Sequence, residues 1–171
     1  GNSKKNHLAG EATINDWIDH ISTLFPQARL KQYLEVRSMD ACSWNEICSP
    51  AAFWTGLLYD EESLDSTLNI MTDWTNEERM KLNYDVPIHG LNTKFRNITL
   101  KDIAIKLLII SENGLSRRNI LSTNKNYNEA YYLKNIKSNV SKGFSPADLL
   151  LKKYKNEWKN STKNIYKELI F

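Results

Sequence analysis

The sequence predicts an α+β fold that is predominantly helical, with one strong strand at about residues 30–38. Three observations carry this. Several segments place apolar residues at helical spacing behind a Ser or Thr that can cap a helix start. Only one segment alternates clearly between apolar and polar residues, as a strand does. Across its 171 residues the chain is 41% hydrophobic and 25% charged, the balance of a globule with a real core rather than a disordered chain. No apolar run is long enough to span a membrane. A net charge of +3 is too small to point to nucleic acid.

Residues 1–11 read as an irregular lead-in. Thr13, with Asp16 three residues on, caps a helix over about 14–24 whose Ile14, Trp17, Ile18, Ile21 and Phe25 make a core-type face ending at Pro26. Then comes R-L-K-Q-Y-L-E-V-R-S, Arg29 to Ser38. Leu30, Leu34 and Val36 fall on one side, with Gln32 the exception, and Arg29, Lys31, Tyr33, Glu35 and Arg37 on the other. Helical segments follow: Trp44 to Tyr59, interrupted at Pro50, and Ser63 to Trp74. Thr75 and Glu78 form a capping box for a short helix, and Val86-Pro87 and His89-Gly90 mark a loop. Thr99 caps a helix with Leu100, Ile103, Ala104, Leu107 and Leu108 inside, and Gly114 marks a stop or bend. Residues 124–128 are loop-like and 129–141 helical. Ser145-Pro146-Ala147-Asp148 is a strong helix start, and a last short helix holds Ile165, Tyr166, Leu169 and Ile170. The lysines of residues 152–167 read as a solvated helix face.

The charged strand face is where chemistry could sit. Alternate residues of a strand lie about 7 Å apart on one face, so Arg29, Lys31, Tyr33, Glu35 and Arg37 make a row of cations with one carboxylate among them. A carboxylate can hold Mg²⁺, and a neighbouring Arg can clamp a phosphate or carboxylate with its forked donors. Such a row suits an anionic, metal-bound substrate such as ATP. A charged outer face that merely protects a sheet is the other reading of the same pattern. A lone strand leaves both edges unpaired, so it must find partners in weaker segments such as 85–97 or in polypeptide not present here. With no initial Met, this suggests the C-terminal part of a larger protein, prone to self-association through the exposed strand. Cys42 and Cys48 are too few for a disulfide scaffold and read as idle thiols or a redox pair, and the three scattered His form no zinc pattern. A reducing, cytoplasmic location is expected. The common phosphate-loop, dinucleotide, serine-hydrolase and zinc-protease motifs are missing.

The segment A-T-I-N-D-W-I-D-H-I-S-T-L-F-P-Q-A-R-L-K-Q-Y-L-E-V-R-S-M-D, Ala12 to Asp40, resembles the glutamate–cysteine ligase family in its plant and proteobacterial branch. The resemblance continues through P-A-A-F-W-T-G-L-L-Y-D (Pro50–Asp60), D-W-T-N-E-E-R (Asp73–Arg79), N-G-L-S-R-R (Asn113–Arg118), S-P-A-D-L-L-L-K-K-Y (Ser145–Tyr154) and N-E-W-K-N-S (Asn156–Ser161), in the family's order. It implies an ATP-dependent ligase of glutathione biosynthesis, with glutamate, cysteine and ATP as substrates and Mg²⁺ as cofactor. It also implies helices packed on part of an antiparallel, glutamine synthetase-like sheet. Glu35 matches the family's Mg²⁺ ligand, and Arg37 its substrate- and phosphate-contacting arginine; Arg29, Lys31 and Tyr33 share that substrate face. A cysteine matching Cys48 forms a redox-sensitive disulfide in plant-type members, with a partner in the N-terminal part. Family members are much longer, and most of their metal and nucleotide ligands lie in that part. The chain is thus expected to be one C-terminal fragment, residues 1–171, inactive alone. A sister carboxylate–amine ligase and a non-catalytic helical interaction module derived from the ligase are the competing readings.

Overall fold

The computed structural model describes residues 12–40, 42–124 and 126–168. In chain order the elements are α1 (Ile14–Ser22), β1 (Ala28–Leu30), β2 (Leu34–Val36), α2 (Ser49–Leu58), α3 (Glu61–Met71), α4 (Asn76–His89), β3 (Lys94–Phe95), β4 (Ile98–Thr99), α5 (Leu100–Arg118), α6 (Lys134–Ser141), α7 (Pro146–Asn156) and α8 (Ile165–Glu168). The fold is therefore α+β and mostly helical, as expected. The sequence reads as one domain, and its contacts divide it into two compact units, Gly1–Ala41 and Cys42–Phe171. The lead-in of residues 1–11 and the expected helical residues Leu169 and Ile170 lie outside the described residues.

Hydroxyl caps start four helices at the expected places. Thr13, Thr75, Thr99 and Ser145 each accept a hydrogen bond from the backbone N–H three residues on, and the acidic side chain there accepts one from the cap's own N–H. Each pair satisfies donors that a helix start leaves without an internal partner.

In the first unit the single strand expected at about 30–38 is instead a hairpin. β1 and β2 pair antiparallel, with Ala28 opposite Val36, Arg29 opposite Glu35 and Leu30 opposite Leu34. Residues 31–33 make the turn, where the Lys31 N–H donates to the Tyr33 carbonyl at 2.9 Å. The alternation could not reveal this. Reversal about residue 32 pairs residues of equal parity, so the same side chains share a face whether the chain runs straight or turns back. Folding back also satisfies one edge that a lone strand would leave bare. The face of α1 expected to be core is exposed: Ile14 is 71%, Trp17 57% and Phe25 70% accessible. One helix and two three-residue strands have too little surface to enclose it.

The second unit holds the core. Ala52, Leu115 and Leu133 form its centre, with Phe53, Ala130 and Ile136 packed against them. Gly114 does not stop its helix: α5 continues four residues further to Arg118. It sits where α5 crosses α2 and α3, and a Cβ there would overlap the Gly56 carbonyl, just as one at Gly56 would overlap Ser111. The glycine is retained for this close approach, not for its conformational freedom. The Ser111 hydroxyl donates to the Phe53 carbonyl at 2.9 Å and the Ser63 hydroxyl to the Ile110 carbonyl at 3.1 Å, so the crossing is satisfied as well as close-packed.

Two further expectations change. The loop at 86–90 is the end of α4, which runs through Pro87 to His89 and stops at Gly90 with φ +53°. Pro87 falls in the last turn, where its missing N–H removes a bond only as the helix is ending. The weak strand region 85–97 supplies β3, but β3 pairs with β4, not with the charged hairpin. The described residues thus contain two separate two-stranded sheets. No helix among them is long and apolar enough to cross a membrane.

Candidate functional site

The hairpin collects three of the five residues of the charged face. Glu35 lies at the centre. The Arg29 Nε donates to its Oε2 at 2.8 Å, with Arg29 Nη2 at 2.7 Å from the same oxygen, and Arg37 Nη1 donates to Oε1 at 2.9 Å. Cross-strand register sets the first contact, because Arg29 and Glu35 are directly opposed. Two-residue spacing sets the second. Hydrogen bonds from Arg29 and then Arg37 hold the Glu35 carboxyl below its usual range, against the opposing effect of burial.

The two arginines are not equivalent. Arg29 also donates through Nη1 to the Ser22 and Leu24 carbonyls at 3.2 Å each, and its side chain is only 14% exposed. Its donors are spent on Glu35 and on the end of α1. Arg37 is 32% exposed, lies 4.8 Å over the Phe25 ring, and engages one guanidinium nitrogen. Among the described residues its Nε and Nη2 have no partner, which leaves one edge of the planar fork for an anion. Lys31 and Tyr33 occupy the turn and are exposed, so they stand at the tip of the hairpin and not beside Glu35.

The residues present do not make a Mg²⁺ site by themselves. Both Glu35 oxygens are taken by guanidinium groups. Among the described residues no three His, Cys, Asp or Glu side chains gather where a metal could be held. A hard divalent cation needs several oxygen ligands, and here the charge facing Glu35 is already positive. Cys48 is a free, exposed thiol just ahead of α2, and Cys42 is a free thiol as well.

Two further ion clusters, in the helical unit, escaped the sequence reading. Arg117 forks onto the Asp60 carboxylate at 2.6–3.1 Å, and Asp60 also caps α3 by accepting from the Ser63 N–H at 2.9 Å. This holds the Asp60 carboxyl far below the ordinary range, with Arg117 the main cause. Arg96, in the β3–β4 turn at φ +51°, donates to Asp73 at 2.6 Å and to both Glu78 oxygens at 2.7 and 2.8 Å. Arg96, then the Thr75 N–H, lowers the Glu78 carboxyl from 4.5 to about 2. The partners lie 57 residues apart in one cluster and 18 to 23 apart in the other, beyond any local periodicity. The only signal was that Asp60, Asp73, Glu78 and Arg117 all fall within the segments that resemble the ligase family.

A carboxylate-braced guanidinium with an open fork has the geometry to accept an anion. Residues 2–168 match the family model described as glutamate-cysteine ligase family 2 (GCS2), and the chain belongs to that family. It is 43% identical over 159 residues to glutamate–cysteine ligase A, chloroplastic, of Oryza sativa subsp. indica, which covers 93% of this chain and 31% of the relative. It is 41% identical over 165 residues to the chloroplastic glutamate–cysteine ligase of Arabidopsis thaliana, covering 96% of this chain and 30% of the relative. With the Nicotiana tabacum enzyme of the same name the identity is 39% over 171 residues, 99% of this chain and 31% of the relative. The chain thus spans less than a third of the length of these relatives. Their names also overturn the expected cytoplasmic location, since all three are chloroplastic. Two free thiols fit any reducing compartment, and that chemistry does not distinguish cytoplasm from plastid.

Proposed function

We propose that this chain is the C-terminal part of a glutamate–cysteine ligase. The complete enzyme would use ATP to convert the γ-carboxylate of glutamate to an acyl phosphate with release of ADP. The cysteine amine would then attack the acyl carbon, expelling phosphate and leaving γ-glutamylcysteine, the first intermediate of glutathione synthesis. The observation that carries this reading is the family match over nearly the whole chain. A small saddle-like sheet of the glutamine synthetase type, completed by further polypeptide, would be the setting for β1 and β2.

Within that reading the hairpin residues divide the work. Arg29, whose donors are occupied, positions Glu35. Glu35 braces Arg37 and keeps its fork oriented. Arg37 offers its free edge to the transferred phosphate or to a glutamate carboxylate, where a planar two-point donor stabilises charge that develops during transfer. Lys31 and Tyr33 at the hairpin tip supply longer-range attraction and contact to the same anionic substrates. Magnesium, which phosphoryl transfers of this kind use, would take its oxygens chiefly from the rest of the enzyme. The outer edges of β1 and β2 are unpaired among the described residues, so the isolated chain is expected to self-associate there, which sedimentation velocity reads as mass rising with concentration.

The test is glutamate- and cysteine-dependent ATP hydrolysis. The complete gene product should turn over and the 171-residue chain should not. Clear turnover by the 171-residue chain removes the fragment reading, and a complete product that prefers another acceptor amine makes the protein a sister ligase.

A further inference from the structure

The segment Asp73–Arg79, D-W-T-N-E-E-R, has no part in the hairpin chemistry, yet the second unit spends it on building a cavity. An open pocket of about 360 Å³ lies between α3, the β3–β4 hairpin and α5. That is the small end of the range for ligand sites, which run from about 300 to 1,000 Å³. Trp74 and Phe95 form one wall, with ring centroids 4.6 Å apart, and Ile70, Ile98 and Ile103 complete an apolar lining. The walls are fastened. Asp73 and Glu78, on either side of the Thr75 cap, grip Arg96 at 2.6 to 2.8 Å and so tie the hairpin to the start of α4.

The charged groups on the lining are Arg96 and Lys106. The charge of Arg96 is answered by its two carboxylates, neither of which lines the pocket. Lys106 has no ion-pair partner among the described residues. The nearest acid on its own helix, Asp102, is one turn back and bonded to the Thr99 cap at 2.7 and 2.8 Å, so it meets Lys106 through longer-range attraction and not as an ion pair. A cationic ligand would meet the ammonium of Lys106 and find no carboxylate on the lining. A neutral apolar one would leave the ammonium of Lys106 unused. We infer that this pocket binds a small amphipathic anion, an aromatic or branched aliphatic monocarboxylate, with its apolar group against Trp74 and Phe95 and its carboxylate on Lys106. The site shares no residue with the hairpin and does not depend on the ligase reading.

The test uses the 171-residue chain labelled with ¹⁵N. Trp74→Phe identifies the Trp74 indole N–H resonance by its disappearance. Three probes are titrated: 3-phenylpropionate, 3-phenylpropan-1-ol and propionate. The first should shift the Trp74 resonance and bind about three- to fivefold tighter than the alcohol, the discrimination of one partly exposed ion pair, while propionate leaves it in place. Lys106→Met, at an exposed helical position that keeps a good helix former, should retain the dispersed spectrum and bring acid and alcohol to equal affinity. Failure of both aromatic probes to shift Trp74 overturns the site. Equal binding of acid and alcohol by the unaltered chain, or an acid preference that survives Lys106→Met, overturns the anion.

Discussion

The hairpin and the helical unit both hold arginine–carboxylate clusters, and they differ in how far the chain travels to make them and in what is left over. Arg29, Glu35 and Arg37 lie within one short segment, on a unit whose helix α1 buries no residue. The cluster keeps an unpaired guanidinium edge on Arg37. Asp60 and Arg117 come from distant segments and meet beside the Gly56–Gly114 crossing, and Arg117 Nη2, which bonds Asp60, also donates to the Ser63 hydroxyl at 3.0 Å. Arg96 is equally consumed by Asp73 and Glu78. The same pair of side-chain types therefore serves two ends. With spare donors on a thinly supported surface it can receive a ligand. With its donors spread over partners from distant segments it ties those segments together.

The largest effects should come from breaking the architectural side. Gly114→Val puts a branched side chain into the Gly56 carbonyl and should prevent the helical unit from folding, seen as loss of cooperative thermal unfolding by circular dichroism. Leu115→Ala, at a fully buried position, should cost about 2–5 kcal/mol by denaturant titration. Neither change touches Arg37.

Arg37→Lys sharpens the comparison from the other side. It keeps the charge and loses the fork, so the rate of the complete ligase should fall by about 100-fold, while the unfolding of the helical unit is unmoved. Arg117→Lys should reverse the pattern, lowering the unfolding midpoint through the Asp60 bond with a smaller effect on rate. If Arg37→Lys leaves steady-state rates near normal, the hairpin cluster is a solvated surface and nothing more.

Acid should weaken the helical unit's clusters next. The carboxyl of Glu78 titrates near 2 in the folded state and near its ordinary 4.5 once unfolded. As pH falls the unfolded chain takes up the proton first, so the stabilisation is complete above about 4.5 and is lost as pH falls toward 2. Asp60, also depressed, adds loss in the same direction. Glu78→Gln should flatten the dependence of the unfolding midpoint on pH below 4.5. The smallest effect is expected from Thr75→Ala, which removes one cap of α4 and should cost about 1 kcal/mol.

Much of this was legible in the chain because it is local. A capping box needs residues three apart, and Thr13, Thr75, Thr99 and Ser145 all start helices as their sequences require. Face sharing along a strand depends on parity, so Arg29, Glu35 and Arg37 were grouped correctly even though one strand became two. Family membership, too, resided in the residues themselves. Tertiary structure decided whatever required two distant segments to meet. Gly114 looks like a helix stop until α2 is laid against it, when its missing side chain becomes a contact. Pro87 and Gly90 resemble a loop until the first of them falls in a final helical turn. The apolar stripe of α1 resembles a core face, but whether such a stripe is covered depends on what else packs there. Asp60 with Arg117, Arg96 with Glu78, and the pocket walled by Trp74 and Phe95 exist only because folding closes long loops around a shared core. Their sequence separations carry no period, and so no pattern along the chain announces them.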